Sequence, residues 1–298
     1  KIFNGMEGWT YEEMAEIYNN MPEGSVFIDG MTSEWFIYNI LNSQLEDFIN
    51  FETGEVNIDS KEFIQILEFS KNFQTSDQYL KEREENNWKD TDIYDLAKNG
   101  KLLLNNINLY DFSDIQINEK LFKSQGGFDV ISYPSKDKNN ELLLASAGDS
   151  CLAISKQCDD KDGAWKFLRR LYLYDYQKKN INNGFPIRKD ALEKEIEYAM
   201  STKEYTDDDG TKVIPIDGDT YSIGDFSIEI KPYTKAHIDL FRSIVGRITK
   251  EDSYDTFWSD ISEIITDETK AFFAGSKTAE ETAEILQSRV KIYVSENS

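Results

Sequence analysis

From Ala271 to Glu296 the chain is written as two helices around one turn, and no other segment limits its fold as tightly. Gly275 can take the left-handed backbone that ends a helix, and Thr278 with Glu281 makes a capping box that starts the next. Ala279, Ala283, Leu286, Val290 and Tyr293 then recur at alternating steps of four and three, which sets one apolar stripe on one helix face. The charged residues Glu280, Glu284, Arg289 and Lys291 fall mostly off that stripe. Such a helix must dock on a core.

The same grammar opens the chain. Thr10 and Glu13 form a second capping box, Trp9 is placed to staple onto Met14, and Met14, Ile17, Tyr18 and Met21 continue a helical face. Val26 to Ile28 is a short apolar run that suits a buried strand, and Asp29 to Trp35 is a loop opening onto a helix. Asp59 and Glu62 are expected to cap a helix carrying Phe63, Ile64, Leu67 and Phe73, and the charge-dense stretch from Ser76 to Asp95 reads as a surface helix with loose ends. From Lys101 the period changes: Leu102 to Leu104, Val130 to Tyr133 and Leu152 to Ser155 read as strands. Tyr110 to Ser124 and Asp159 to Leu171 read as helices, the latter with Ala164, Phe167, Leu168 and Leu171 on one face, and Lys136 to Asn140 as a polar turn. Three more helices are predicted from about Lys235, Asp255 and Thr278, after a surface excursion from Val213 to Ile230.

Length and charge exclude more than they name. A chain of 298 residues can hold two domains and a core that needs neither metal nor disulfide. A formal charge of -23 argues against nucleic acid and against an anionic membrane surface, since both call for a basic face. A neutral or cationic ligand is the easier partner. No apolar run approaches the roughly 20 residues of a membrane span, and Lys1 to Met6 is no signal peptide. Cys151 and Cys158, the only cysteines, stand ~23 Å apart if the chain between them is extended, well beyond the ~7 Å a disulfide tolerates, so two free thiols are expected.

Catalytic chemistry is thinly represented. The one histidine, His237, stands near a helix start and reads as an exposed or capping imidazole, and no glycine-rich phosphate loop is present. Thr206 to Gly210 looks like half of a calcium loop but lacks the ligand pattern, so it reads as a hairpin turn. Neither a metal nor a cofactor is called for. Acid pairs such as Glu84 and Glu85, Asp207 to Asp209, and Glu280 and Glu281 leave a two-acid glycosidase open, but they lie in solvated runs, whereas a catalytic acid needs burial. Aromatic residues, at 13% of the chain, are more informative. A tryptophan that follows a turn and begins a helix can lay its flat face on the C–H face of a sugar; Trp35 and Trp258 are so placed, and Tyr110 follows a predicted strand and an Asn-rich turn.

Four phrases in order carry a resemblance. Phe272 to Glu296 resembles the closing segment of the extracellular solute-binding proteins of sugar ABC importers, family 1. Phe51 to Phe63 is similar to that family's "T-G-x-x-x-x-D-S-x-E-F" passage, Ala153 to Phe167 to its "I-S … A-W-x-F" passage, and Gly184 to Leu192 to its "G-F-P-x-R-K-D-A-L" passage. The resemblance implies an α/β, periplasmic-binding-protein-like fold (type II, maltose-binding-like) of two lobes closing on a sugar or oligosaccharide, with ABC permease subunits as partners. It implies no reaction, an extracellular location with a lipoprotein tether, and a monomer. By position it assigns ligand contacts to Trp258, Trp35 and Tyr110, with Glu34 and Asp111 as polar companions.

One departure is large. Family chains begin with a long stretch forming the first lobe's sheet, whereas Gly8 to Glu13 resembles a mid-chain "G-W-T-x-x-E" phrase. The expectation is a mostly helical chain, with residues 1–134 and 185–298 forming the helical lobe and residues 135–184 the returning part of the other. Half the ligand site would then be missing and sugar binding weak. A carbohydrate-active hydrolase and an adhesion or scaffold protein stand as the competing classes.

Overall fold

A computed structural model describes residues 8–87, 92–139, 143–145, 152–178, 184–206, 210, 212–213, 219–223, 226–251 and 256–297. The chain enters at Thr10, whose hydroxyl accepts the Glu13 amide at 3.2 Å while the Glu13 carboxylate accepts the Thr10 amide at 2.8 Å. That reciprocal box starts α1 (Tyr11–Asn19). In order follow β1 (Val26–Ile28), α2 (Ser33–Phe48), β2 (Ile49–Asn50), β3 (Glu55–Val56), α3 (Lys61–Ser70), α4 (Ser76–Glu85), α5 (Asp92–Lys98), β4 (Leu102–Leu104) and α6 (Ser113–Leu121). The middle of the chain holds β5 (Leu143–Ala145), α7 (Lys161–Leu171), α8 (Tyr174–Gln177) and α9 (Lys189–Ala199). The remainder is β6 (Tyr205–Thr206), β7 (Lys212–Val213), β8 (Thr220–Ile223), β9 (Phe226–Glu229), α10 (Lys235–Gly246), β10 (Ile248–Glu251), α11 (Thr256–Phe273) and α12 (Ala279–Asn297).

Every sheet among the described residues has two strands. Two pairs are parallel and join distant parts of the chain: β1 with β4, Val26 opposite Leu102, and β5 with β10, Ile248 opposite Leu143. The others are antiparallel hairpins, including β6 with β7 around the Thr206 to Gly210 turn, whose Asp207 to Asp209 lie outside the described residues.

Helices supply the body. One apolar cluster joins α1, α2, α3, α11 and α12, with Met14, Phe36, Phe63, Ile261 and Leu286 among its sealed members. Each fully buried side chain of this size stabilises by about 1.5–3 kcal/mol relative to exposure. The α12 stripe is as read: Ala279, Ala283, Leu286 and Val290 are sealed, and Gly275 turns at φ 73°. Tyr293 is only half-buried, its hydroxyl donating to Asp260 at 2.7 Å, and Val294 ends the buried stripe instead. A second cluster packs Phe112 and Ile115 against Ile196, Tyr233 and Phe241.

A polar seam crosses this body. The Trp9 indole donates to the Ser132 carbonyl at 2.7 Å, the Tyr11 hydroxyl donates to Gln44 at 2.8 Å, and the Gln44 amide donates to the Pro134 carbonyl at 2.8 Å. Gln44 is also where α2 kinks, at φ -140° and ψ 20°. The seam explains one correction: Val130 to Tyr133 is no strand, because its neighbour, the Trp9 to Thr10 stretch, offers an indole bond and a single bridge rather than a ladder. Leu152 to Ser155 is no strand either; among the described residues no strand pairs with it, and Leu152 is exposed. Two helix starts also differ. Ser60, not Asp59, caps α3, since its hydroxyl is the one in reach of the Phe63 amide, and Phe73 lies past the helix end. The stretch from Ser76 to Asp95 holds two helices, and α4 starts tightly, on a Thr75 and Gln78 capping box.

Cys158 is a free, half-buried thiol, and Cys151 lies outside the described residues. No helix among the described residues is long and apolar enough to cross a membrane.

Candidate functional site

The parallel pair β1 and β4 sets the geometry. In sheets with parallel strands, ligands bind at the carboxyl ends, where the outgoing loops converge. Here β1 leads into Asp29 to Thr32 and the start of α2, and β4 leads into Asn105 to Phe112 and the start of α6. Both loops therefore open at one edge.

On the first loop, Gly30 turns at φ 67°, a region glycine enters without strain, and an added Cβ there would lie 3.5 Å from the Tyr79 hydroxyl. Thr32 caps α2 by accepting the Trp35 amide at 3.2 Å. Trp35 is thereby held in the first turn with its ring 49% exposed. Tyr38, three residues on, stacks against it with ring centroids 4.9 Å apart and planes 3° from parallel. The pair makes a flat aromatic platform. Glu34 is already occupied, its carboxylate accepting the Ser76 amide at 2.8 Å and the Ser76 hydroxyl at 2.9 Å, which ties the start of α4 to α2.

On the second loop, Tyr110 is 66% exposed. Its amide donates to Asp114 Oδ2 at 2.7 Å, and the Asp111 amide donates to the same oxygen at 3.1 Å. Asp111 in turn accepts the Ser113 amide at 2.6 Å and the Ser113 hydroxyl. These bonds fix the turn that presents Tyr110. Burial, followed by the backbone bonds that oppose it, leaves the Asp114 carboxyl above the usual carboxylate range. Nearby, the Tyr133 hydroxyl donates to Asn106 at 3.2 Å, and burial pushes that phenol up to about 12.

The helix carrying Trp258 runs beside α2. Glu34, Ile37, Tyr38 and Leu41 face Ser262, Ile265, Thr266 and Thr269 of α11 across a shallow groove, far too small to enclose a whole small ligand. Trp258 stands in the first turn of α11, one turn before Ser262, and its side chain lies outside the described residues. Of the five residues singled out in the sequence, Trp35 and Tyr110 thus present aromatic surface at one edge, while Glu34 spends an oxygen on Ser76 of α4 and Asp111 one on Ser113 of its own turn. Tyr38 was missed, though its spacing of three from Trp35 puts the two on one helix face.

Two other titratable residues have clear settings. His237 is a capping residue: its Nδ1 accepts the Thr234 amide at 3.2 Å, and its Nε2 sits 3.0 Å from Glu119. Glu195 on α9 is 8% exposed, and burial first and Asp111 second push its carboxyl up to about 7. No group of three or more His, Cys, Asp or Glu side chains is arranged for a metal ion among the described residues.

No known family's sequence pattern matches the chain, and no curated protein matches it. Among solved structures it is similar to the sugar-binding protein MalE from the phytopathogen Xanthomonas citri, with a TM-score of 0.54 and 15% identity. The likeness covers 99% of this chain and 65% of that one. At that identity it shows the fold, which is the type II periplasmic-binding-protein fold, here mostly helical with few strands.

Proposed function

We propose that this chain is part of an extracellular carbohydrate receptor that holds a sugar or oligosaccharide non-covalently and delivers it to the membrane subunits of an ABC importer. One observation carries the reading: in a fold shared with a sugar-binding protein, Trp35 at the start of α2, backed by the half-buried Tyr38, and Tyr110 on the loop after β4 present exposed aromatic surface beyond the ends of β1 and β4. Flat aromatic rings suit the apolar face of a sugar ring, and the Asn105 and Asn106 turn beside Tyr110 suits its hydroxyls. Trp258 is assigned to the same face from its place on α11.

In this reading residues 1–134 and 185–298 form the helical lobe, and residues 135–184 belong to the facing lobe, the two closing on the ligand by a hinge. The receptor works as a monomer outside the cell, tethered as a lipoprotein. The hydrolase alternative draws on Glu195, a raised acid beside Asp111, as a two-acid mechanism requires. Yet Glu195 Oε2 is sealed from solvent, so it cannot reach a glycosidic oxygen as the chain is folded.

A thermal-shift and product screen of the full-length protein against mono- and oligosaccharides tests the proposal. Saturable stabilisation without product, lost in Trp35→Ala and Tyr110→Ala, is the expected result. Turnover, or indifference to every glycan, sinks it.

A further inference from the structure

Behind the Tyr110 loop lies a carboxyl group that sugar stacking does not use. Glu195 Oε2 is shut off from solvent and meets no hydrogen-bond partner. The next residue on α9, Ile196, and then Ala199 belong to the cluster that also takes Phe112, the residue directly after Asp111. The Tyr233 amide donates to the Ala199 carbonyl at 2.9 Å, and its ring packs 5.2 Å from that of Phe112. The end of α9 and the Tyr110 to Asp114 turn are thus seated on one apolar core.

Among the described residues, the charges on the surrounding elements give Glu195 no counterion. Arg188 pairs with Asp190, Arg242 of α10 with Glu193, Lys178 beyond α8 with Asp175, and His237 faces Glu119 of α6. On the loop side stand Asp111 and Asp114, both acids. An ionised Glu195 would therefore face like charge from Asp111, with no donor to its sealed Oε2 among the described residues.

We propose that Glu195 is a proton-linked positioning residue for the Tyr110 to Asp111 loop, keeping it seated while its carboxyl is neutral and loosening it when the carboxylate forms beside Asp111. The consequence for ligand capture rests on the receptor reading of Tyr110; the coupling to the loop rests on the packing. The sign follows from the proton. A carboxyl raised to about 7 in the seated state makes seating fully favourable below the ordinary glutamate range of about 4.3, and that advantage is lost as pH rises through about 7. Between pH 6 and pH 8 seating weakens about tenfold.

Hydrogen exchange at the Tyr110, Asp111 and Ser113 amides tests this in the full chain. Protection, corrected for intrinsic rates, is expected to fall about tenfold from pH 6 to pH 8, to stay level in the near-isosteric Glu195→Gln, and to fall less in Asp111→Asn. Protection that is flat in the unaltered chain, or that falls equally in Glu195→Gln, overturns the proposal. Oligosaccharide titration at both pH values separates the two readings. Binding that weakens in step with protection supports both. A proton-dependent loop with no binding at either pH supports the role of Glu195 and sinks the receptor. Binding indifferent to pH while protection falls removes the link to capture.

Discussion

Helices α7 and α12 carry the same kind of message and meet opposite fates. In α12 the stripe of Ala279, Ala283, Leu286 and Val290 is sealed against α3 and α11. In α7 the stripe of Ala164, Phe167, Leu168 and Leu171 is exposed or half-buried throughout, and Trp165 and Phe167 stand 54% and 65% exposed. The difference is one of partners rather than of pattern, since α7 is the more strongly amphipathic of the two. Leu152, Tyr172, Leu173 and Tyr176 extend the open apolar surface around α7. A surface of this kind is costly in water unless something covers it. It fits the proposal that residues 135–184 belong to a second lobe, and among the described residues only β5, through its pairing with β10, knits that stretch to a later strand.

The largest predicted effect breaks or keeps this contrast directly. Phe63, sealed at the centre of the body, should cost about 3–5 kcal/mol when replaced by Ala, measured by urea unfolding. Phe167→Ala should stay within about 0.5 kcal/mol while lowering binding of a hydrophobic dye. Comparable losses at the two positions would show that α7 is packed after all.

A middle-sized effect probes the seam where the body meets the Ser132 to Ser135 stretch. Trp9→Phe keeps most of the buried ring but removes the donor to a buried carbonyl, so it should cost about 1–3 kcal/mol by the same assay. An unchanged midpoint would mean that the seam is not part of the cooperative body.

How much of this was legible depends on the range of the signal. Capping boxes at Thr10 and Thr278 are written within four residues, and the structure makes both. The α12 stripe and the β1 and β4 strands are likewise local patterns. The type II fold was reached by resemblance, since no local signal pairs β1 with β4 across the chain. What failed was pairing at a distance. Val130 to Tyr133 looks like a strand because an apolar run says nothing about whether a partner strand arrives, and here an indole arrives instead. Glu195 sits in a run of Glu and Lys that reads as a solvated face, and only the tertiary meeting of α9 with the Asp111 turn buries it. At the candidate site, the helix-initial position of Trp35 was readable from the turn before it, whereas the capture of Glu34 by Ser76 needed the fold.

The smallest effects separate the two regions most cleanly, because matched caps start helices in each. Thr10 caps α1, whose Met14 and Ile17 are buried in the main cluster, so Thr10→Ala should lower global stability by about 1 kcal/mol. Asp160 caps α7 by accepting the Gly163 amide at 2.8 Å, a bond of similar worth. The helix it starts has no buried residue, so its loss has nothing to pull on. Asp160→Ala should leave the global unfolding midpoint in place and show only as faster amide exchange across the first turn of α7. If instead both substitutions shift the midpoint equally, α7 unfolds with the body, and its exposed stripe belongs to one cooperative unit rather than to a separate lobe.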